Sequence, residues 1–185
     1  CHDIPGNLTG TFPTKLPVNW TNYFHTRIHM TKYQEPQAIN NLVEFSQAFN
    51  FDCHEEHKWP DEHVANLRVN LIDEEFSELK LALADGDSVR VLDALGDIQY
   101  VLSGTVVAFG FTKHFAEAFA EIHRSNMSKA CKTMDEAVAT AKYHSEGGTE
   151  CHIEQNGELF LVRRTSDNKL LKSINYSPAD LSQFV

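Results

Sequence analysis

Five carboxylates in two short clusters are the residues of this chain best suited to chemistry. Glu74, Glu75 and Glu78 form one cluster, Asp93 and Asp97 the other. Spacings of three and four place Glu75 with Glu78, Glu74 with Glu78, and Asp93 with Asp97 on common helical faces. Two carboxylates about 4 Å apart repel by roughly 4 kcal/mol at an effective dielectric near 20. Acids gathered in one seam therefore take up protons, are screened by solvent, or surround a cation. With oxygen donors alone, the cation they suit is a hard one, Mg²⁺ or Mn²⁺. A solvated face is the plain alternative, since lone glutamates are almost always exposed. The recurrence of acids on paired helices weakens it: Asp93 and Asp97 are the only acids between Ser88 and Phe111, in an otherwise almost wholly apolar stretch.

The elements that must position these acids are two helices. Ile72, Phe76, Leu79 and Leu83 recur at helical spacing on the first, and Val91, Leu95, Ile98, Leu102 and Val106 on the second. Asp85-Gly86-Asp87 breaks the pattern, with Gly86 suited to a left-handed C-terminal cap and Asp87 or Ser88 able to cap the next helix. So short a connection predicts antiparallel neighbours whose apolar stripes meet, with both acidic pairs bordering the seam.

Around this pair, a first helix is expected from Pro36 to about Asn50, its apolar face made by Ile39, Leu42, Val43, Phe45 and Phe49. Phe51 to Pro60 follows as a loop. Its Cys53, His54 and His57 lack the second pair of ligands that a zinc site requires. A fourth helix is expected from Lys113 to about Ser128, burying Phe115, Phe119 and Ile122, and a short fifth from Met134 to about His144. Beyond Gly147-Gly148 the period changes to two, and Asn156-Gly157 reads as a hairpin turn between 150–155 and 158–163. Ser166 to Lys169 makes a second turn before a short strand through Leu171.

With these elements in place, the chain resembles a known family, the all-α nucleoside triphosphate pyrophosphohydrolases of the MazG-like and phosphoribosyl-ATP pyrophosphohydrolase-like group. Their signature is Glu-x-x-Glu on one helix and Glu-x-x-Asp on the next. Glu75-Phe-Ser-Glu78, preceded by Glu74, matches the first half. Asp93 and Asp97 match the second less closely, being four apart with Arg90 and Ala94 where a Glu would precede them, so the likeness does not choose between them. The run Phe119 to Lys129 resembles the fourth helix of a MazG-like branch, and Lys169 to Leu181 that branch's C-terminal segment. The likeness spans roughly 37–181.

The resemblance implies an all-α fold: a four-helix-bundle-like MazG-type core over 30–132, with residues 133–185 adding a short helix and a small antiparallel β appendage. Residues 1–29 are set apart as an N-terminal extension or leader, with Met30 a candidate start. It also implies hydrolysis of a nucleoside triphosphate, a deoxynucleotide by preference, between its α and β phosphates to a monophosphate and pyrophosphate. Glu74, Glu75, Glu78 and Asp93 or Asp97 would hold Mg²⁺, with Mn²⁺ a possible substitute, and Glu74 would take the proton of the attacking water. Arg124, Asn126 and Lys129, with Lys172 and Tyr176 of the tail, are the expected substrate contacts. For the helix-end group the plain alternative is a solvated terminus whose cations favour the helix dipole. Tyr176 could equally serve in packing. A homodimer or homotetramer whose neighbours complete each pocket belongs to the same expectation.

Charge and composition narrow the alternatives. A net charge of −10 without a basic tract argues against a nucleic-acid surface. No apolar run is expected to span a membrane, and the four scattered cysteines suggest a cytoplasmic, reduced protein. A di-iron carboxylate bundle uses Glu-x-x-His, and no His here has a Glu three residues before it. A non-enzymatic helical metal-binding or interaction module is the remaining competitor.

Overall fold

The helical hairpin that carries the acids forms because its break is well capped. α2 (Glu62–Asp85) stops at Gly86, whose φ of 68° is left-handed, and α3 (Ser88–Ala108) starts at Asp87, whose side chain accepts hydrogen bonds from the backbone N–H of Val89 and Arg90. Asp87, not Ser88, is therefore the cap. The computed structural model describes residues 33–185; the expected leader 1–29 and the candidate start at Met30 lie outside them. α1 (Ala38–Phe49) packs on α3, which thus sits between α1 and α2. α4 (Phe115–Met127) and α5 (Met134–Glu146) complete the helices. The chain is mainly helical with a small sheet near its end, as expected.

α3 buries its small residues. Ala94, Ser103, Gly104, Val106, Val107 and Ala108 are buried, whereas Leu92, Leu95 and Leu102 are exposed. On α2 only Ala82 is fully buried, and Phe76 and Leu83 are exposed. The expected stripes are thus only partly covered. Small residues fill the seam between the helices, and the large ones on its flanks are left exposed among the described residues. α4 departs from expectation for the same reason: Phe119 and Ile122 are exposed, because α4 packs along neither α2 nor α3.

The 51–61 loop straps the end of α3. His54 and Lys58 donate backbone hydrogen bonds to Val107 and Phe109, and the His57 ring stacks on Phe111 at 4.6 Å with its Nδ1 3.1 Å from the Phe109 carbonyl oxygen. His57 is engaged in packing, not in a metal site. Gly110, at φ 70°, fits beneath the strap where a Cβ would collide with the Glu56 carbonyl oxygen.

α3 is the one described helix that is long and apolar enough to cross a membrane, contrary to the expectation from sequence. It packs against α1 and α2 and carries Asp93 and Asp97, the properties of a core helix.

The C-terminal part has its own small core of Cys131, Ala137 and Val162, with Ile153, Phe160 and Leu171 against it. β1 (Cys151–Asn156) and β2 (Leu159–Arg164) pair antiparallel, with Asn156 opposite Leu159. The turn is therefore Gly157-Glu158, one residue later than expected. Among the described residues only Asn50 and Asn168 are non-glycines with positive φ, so Gly157 alone is left-handed here, the pattern of a type II′ loop rather than an Asn-Gly type I′. Cys131 and Leu170 bridge to the other edge of β2, and Asn168 (φ 60°) makes the second turn.

Candidate active site

Helix pairing brings the two acidic clusters together. Glu75 is half-buried, while Glu74, Glu78, Asp93 and Asp97 are exposed. Burial raises the Glu75 carboxyl above its ordinary pKa of 4.5, and repulsion from Asp97, Glu78, Glu74 and Asp93 adds to it in that order. All five acids are thus within electrostatic reach, and Asp97 acts on Glu75 more strongly than Asp93. Every charge that bears on Glu75 is negative. Among the described residues none of the five is paired with a Lys, Arg or His. Lys80, two residues beyond Glu78, lies over the Phe76 ring at 4.7 Å instead.

Among the described residues no three His, Cys, Asp or Glu side chains converge into a finished metal cage. Unpaired like charges hold their side chains apart, so the seam is a set of donors that a cation would gather. The donor set fits a hard divalent ion: it is all oxygen, all anionic, and one member is destabilised by the rest.

The expected substrate contacts come together at the end of α4, around the tail. Arg124 grips Glu121 through two hydrogen bonds of 2.6 and 2.7 Å and donates a third to the Pro178 carbonyl oxygen. That pairing, with the Asp180 N–H bonded to Glu121, lowers the Glu121 pKa from 4.5 to about 2. Lys129 Nζ donates to Asn126 Oδ1 at 2.6 Å, and Asn126 Nδ2 donates to the Ile122 carbonyl oxygen. Lys172 lies 4.3 Å over the Tyr176 ring, and Ser125 Oγ donates to the Tyr176 hydroxyl. These five residues thus cluster with the tail, and Arg124 takes its charge partner from α4 rather than from the acidic seam.

One residue escaped the sequence reading. Arg68 of α2 is half-buried, burial lowers its pKa against a smaller opposing influence of Asp52, and its Nε is buried with no hydrogen-bond partner. Its signal was its spacing: Arg68 lies seven residues before Glu75, two helical turns along the same face. Gly104 on α3 leaves room for it, although a glycine in a helix interior costs about 1 kcal/mol relative to alanine.

Comparison with curated proteins returned no match. Residues 42–126, from α1 through nearly all of α4, match the phosphoribosyl-ATP pyrophosphohydrolase family. The match includes all five acids and stops before the β hairpin. That helical region, with the α2–α3 hairpin and its carboxylates inside it, belongs to the MazG-like and phosphoribosyl-ATP pyrophosphohydrolase superfamily of all-α pyrophosphohydrolases, enzymes of nucleotide substrates.

Proposed function

We propose that the chain is a Mg²⁺-dependent nucleoside triphosphate pyrophosphohydrolase that converts a (d)NTP and water to a (d)NMP and pyrophosphate, in nucleotide-pool control or sanitation. The observation that carries this reading is Glu75, a half-buried residue on whose carboxyl four other acids act, with no Lys, Arg or His paired to any of the five among the described residues. Glu75, Glu78 and Asp97 would hold the ion, with Asp93 and Glu74 at its margin. Bound there, Mg²⁺ would neutralise phosphate oxygens and lower the pKa of a water molecule. The exposed Glu74 carboxylate accepts the proton of the attacking water, whose oxygen bonds to the α phosphorus as the bond to the pyrophosphate oxygen breaks.

Among the described residues no Lys, Arg or His is paired with the seam acids to steady the polyphosphate, and the Arg124, Asn126 and Lys129 group is gathered elsewhere in the same chain. A homodimer or homotetramer resolves both, because helix ends of a second copy then complete the pocket. The exposed leucines of α3 and Phe119 of α4 supply the apolar surface for it. The free thiols of Cys53, Cys131 and Cys151 fit a cytoplasmic setting.

Incubation with a panel of dNTPs and Mg²⁺ tests the reading. Monophosphate plus pyrophosphate is expected; inorganic phosphate without pyrophosphate, or no turnover of any member, rejects it.

A further inference from the structure

The C-terminal sheet has one edge paired and one bare. Asn156 stands opposite Leu159, Glu154 opposite Leu161 and His152 opposite Arg163. The two-residue turn makes the first a hydrogen-bonded pair, and alternation makes the other two so as well. The Thr165 N–H donating to the Glu150 carbonyl oxygen continues the same alternation. Away from β1, the outward backbone groups of Phe160, Val162 and Arg164 bond to Cys131, Leu171 and Lys169. The matching groups of Cys151, Ile153 and Gln155 on β1 have no backbone partner among the described residues. Unpaired backbone groups are satisfied by water where they are not buried, and such an edge is a template for another strand.

α5 packs on β1 and β2 alike, over the face that carries Cys151, Ile153 and Val162, so it lies on the sheet and not along its edge. Its orientation is fixed by two contacts. Thr140 Oγ1 is 3.5 Å from Cys131 Sγ, on the paired side. Ser145 Oγ and the Ala141 carbonyl oxygen are 3.8 and 3.5 Å from Cys151 Sγ, on the bare side. Steps of three and four place Met134 and Val138 in one row with Ala141 and Ser145, and both are exposed.

We propose that β1 pairs antiparallel with β1 of a second copy about a two-fold axis at Ile153, joining two hairpins into a four-stranded sheet. This goes beyond the pyrophosphohydrolase reading and does not depend on it. The strand is complementary to itself: with Ile153 facing its own copy, His152 faces Glu154 and Cys151 faces Gln155 of the second copy. An opposite-charge pair thus recurs on each side of the axis. Glu154 already holds Arg163 Nε at 2.7 Å within the chain, so its carboxylate lies between two basic groups. Helix spacing agrees as well. An axis perpendicular to the sheet keeps both α5 helices on one face, two strand spacings or roughly 10 Å apart. That is the interaxial distance of packed helices, and Met134 and Val138 are on the flank that meets.

Sedimentation over a dilution series of the full chain tests the proposal, with hydrogen exchange resolved to single amides. The Cys151, Ile153 and Gln155 amides are expected to be protected in the associated species. Gln155→Pro removes an outward N–H and leaves the β1–β2 ladder whole, and it should weaken association by about tenfold or more. His152→Glu sets a carboxylate beside Arg163 within the chain but against Glu154 across the axis. It should weaken association by about tenfold while the melting temperature holds or rises, and His152→Lys should not weaken it. A wild type that stays monomeric overturns the proposal, as does association that both Gln155→Pro and His152→Glu leave unchanged. Protection of the three amides in a monomer shows the edge to be covered within one chain, and overturns it too. Leu95→Glu separates this contact from the α3 surface. The species it leaves is expected to be a dimer that Gln155→Pro converts to monomer; a Leu95→Glu monomer overturns β1 pairing. His152→Glu decides where another variant does not fold.

Discussion

At Glu75 the proposed metal site and the stability of the fold pull in opposite directions. Its carboxyl pKa is raised, so the folded state holds the proton more tightly than the unfolded chain does. Metal-free protein therefore loses stability as pH rises from 4.5 through the raised value, and that loss persists at neutral pH. Glu75→Gln removes the repelled charge. Its expected outcome is a metal-free melting temperature at or above that of the wild type, together with a fall in kcat of roughly 10²-fold or more. Calorimetry and the dNTP assay check the two halves separately. Mg²⁺ should raise the melting temperature of the wild type and do so much less for this variant. At the neighbouring pair, Asp97→Asn is expected to weaken Mg²⁺ activation more than Asp93→Asn, because Asp97 bears more strongly on Glu75; a Mg²⁺ titration of activity decides it.

Two elements are held by contacts far along the chain, and each has a single residue on which it turns. The strap of residues 51–61 crosses the end of α3 above Gly110, aided by Lys113 paired with Glu56. Gly110→Ala combines a left-handed φ with a collision at the Glu56 carbonyl, and it should destabilise the protein by about 3 kcal/mol, read by denaturant unfolding. The tail is fastened to α4 through Glu121, Arg124, Ser128 and Tyr176. Glu121 is held at about 2, below its ordinary 4.5, so its contribution is complete above pH 4.5 and is lost as pH falls towards 2. Amide exchange in 176–181 should accelerate across that window before exchange in α3 does, and Glu121→Gln should accelerate it already at neutral pH.

At the scale of the molecule, the described residues leave much apolar surface exposed. Leu95 is 49% exposed and Phe119 63%, although the helical pattern sets both on apolar faces. In the proposed homo-oligomer a second copy would cover this surface and supply the cation that no described residue pairs with the seam acids. Leu95→Glu, on the exposed flank of α3, is expected to shift sedimentation towards the monomer and to lower activity by about tenfold or more. A wild type that sediments as a monomer with full activity would reject the shared pocket.

Much of this was open to a reader of the chain alone. Helix periodicity, the Asp85-Gly86-Asp87 break and the spacing of Glu75 with Glu78 depend on neighbours within four residues, where local geometry dictates which side chains share a face. They were enough to place the acids on facing helices. The order of Asp97 over Asp93 was not, because it depends on how α3 is rotated against α2, and that rotation follows from which small residues let the helices close. Nor was the hairpin register, shifted by one residue through the φ sign of Gly157 and Glu158. Arg68 is the clearest case. In sequence it is one polar residue on a long helix; only when Leu42, Tyr100 and Gly104 arrive from two other helices does it become an unmatched donor in an aromatic recess, because burial is a property of the assembled layers and not of any one of them.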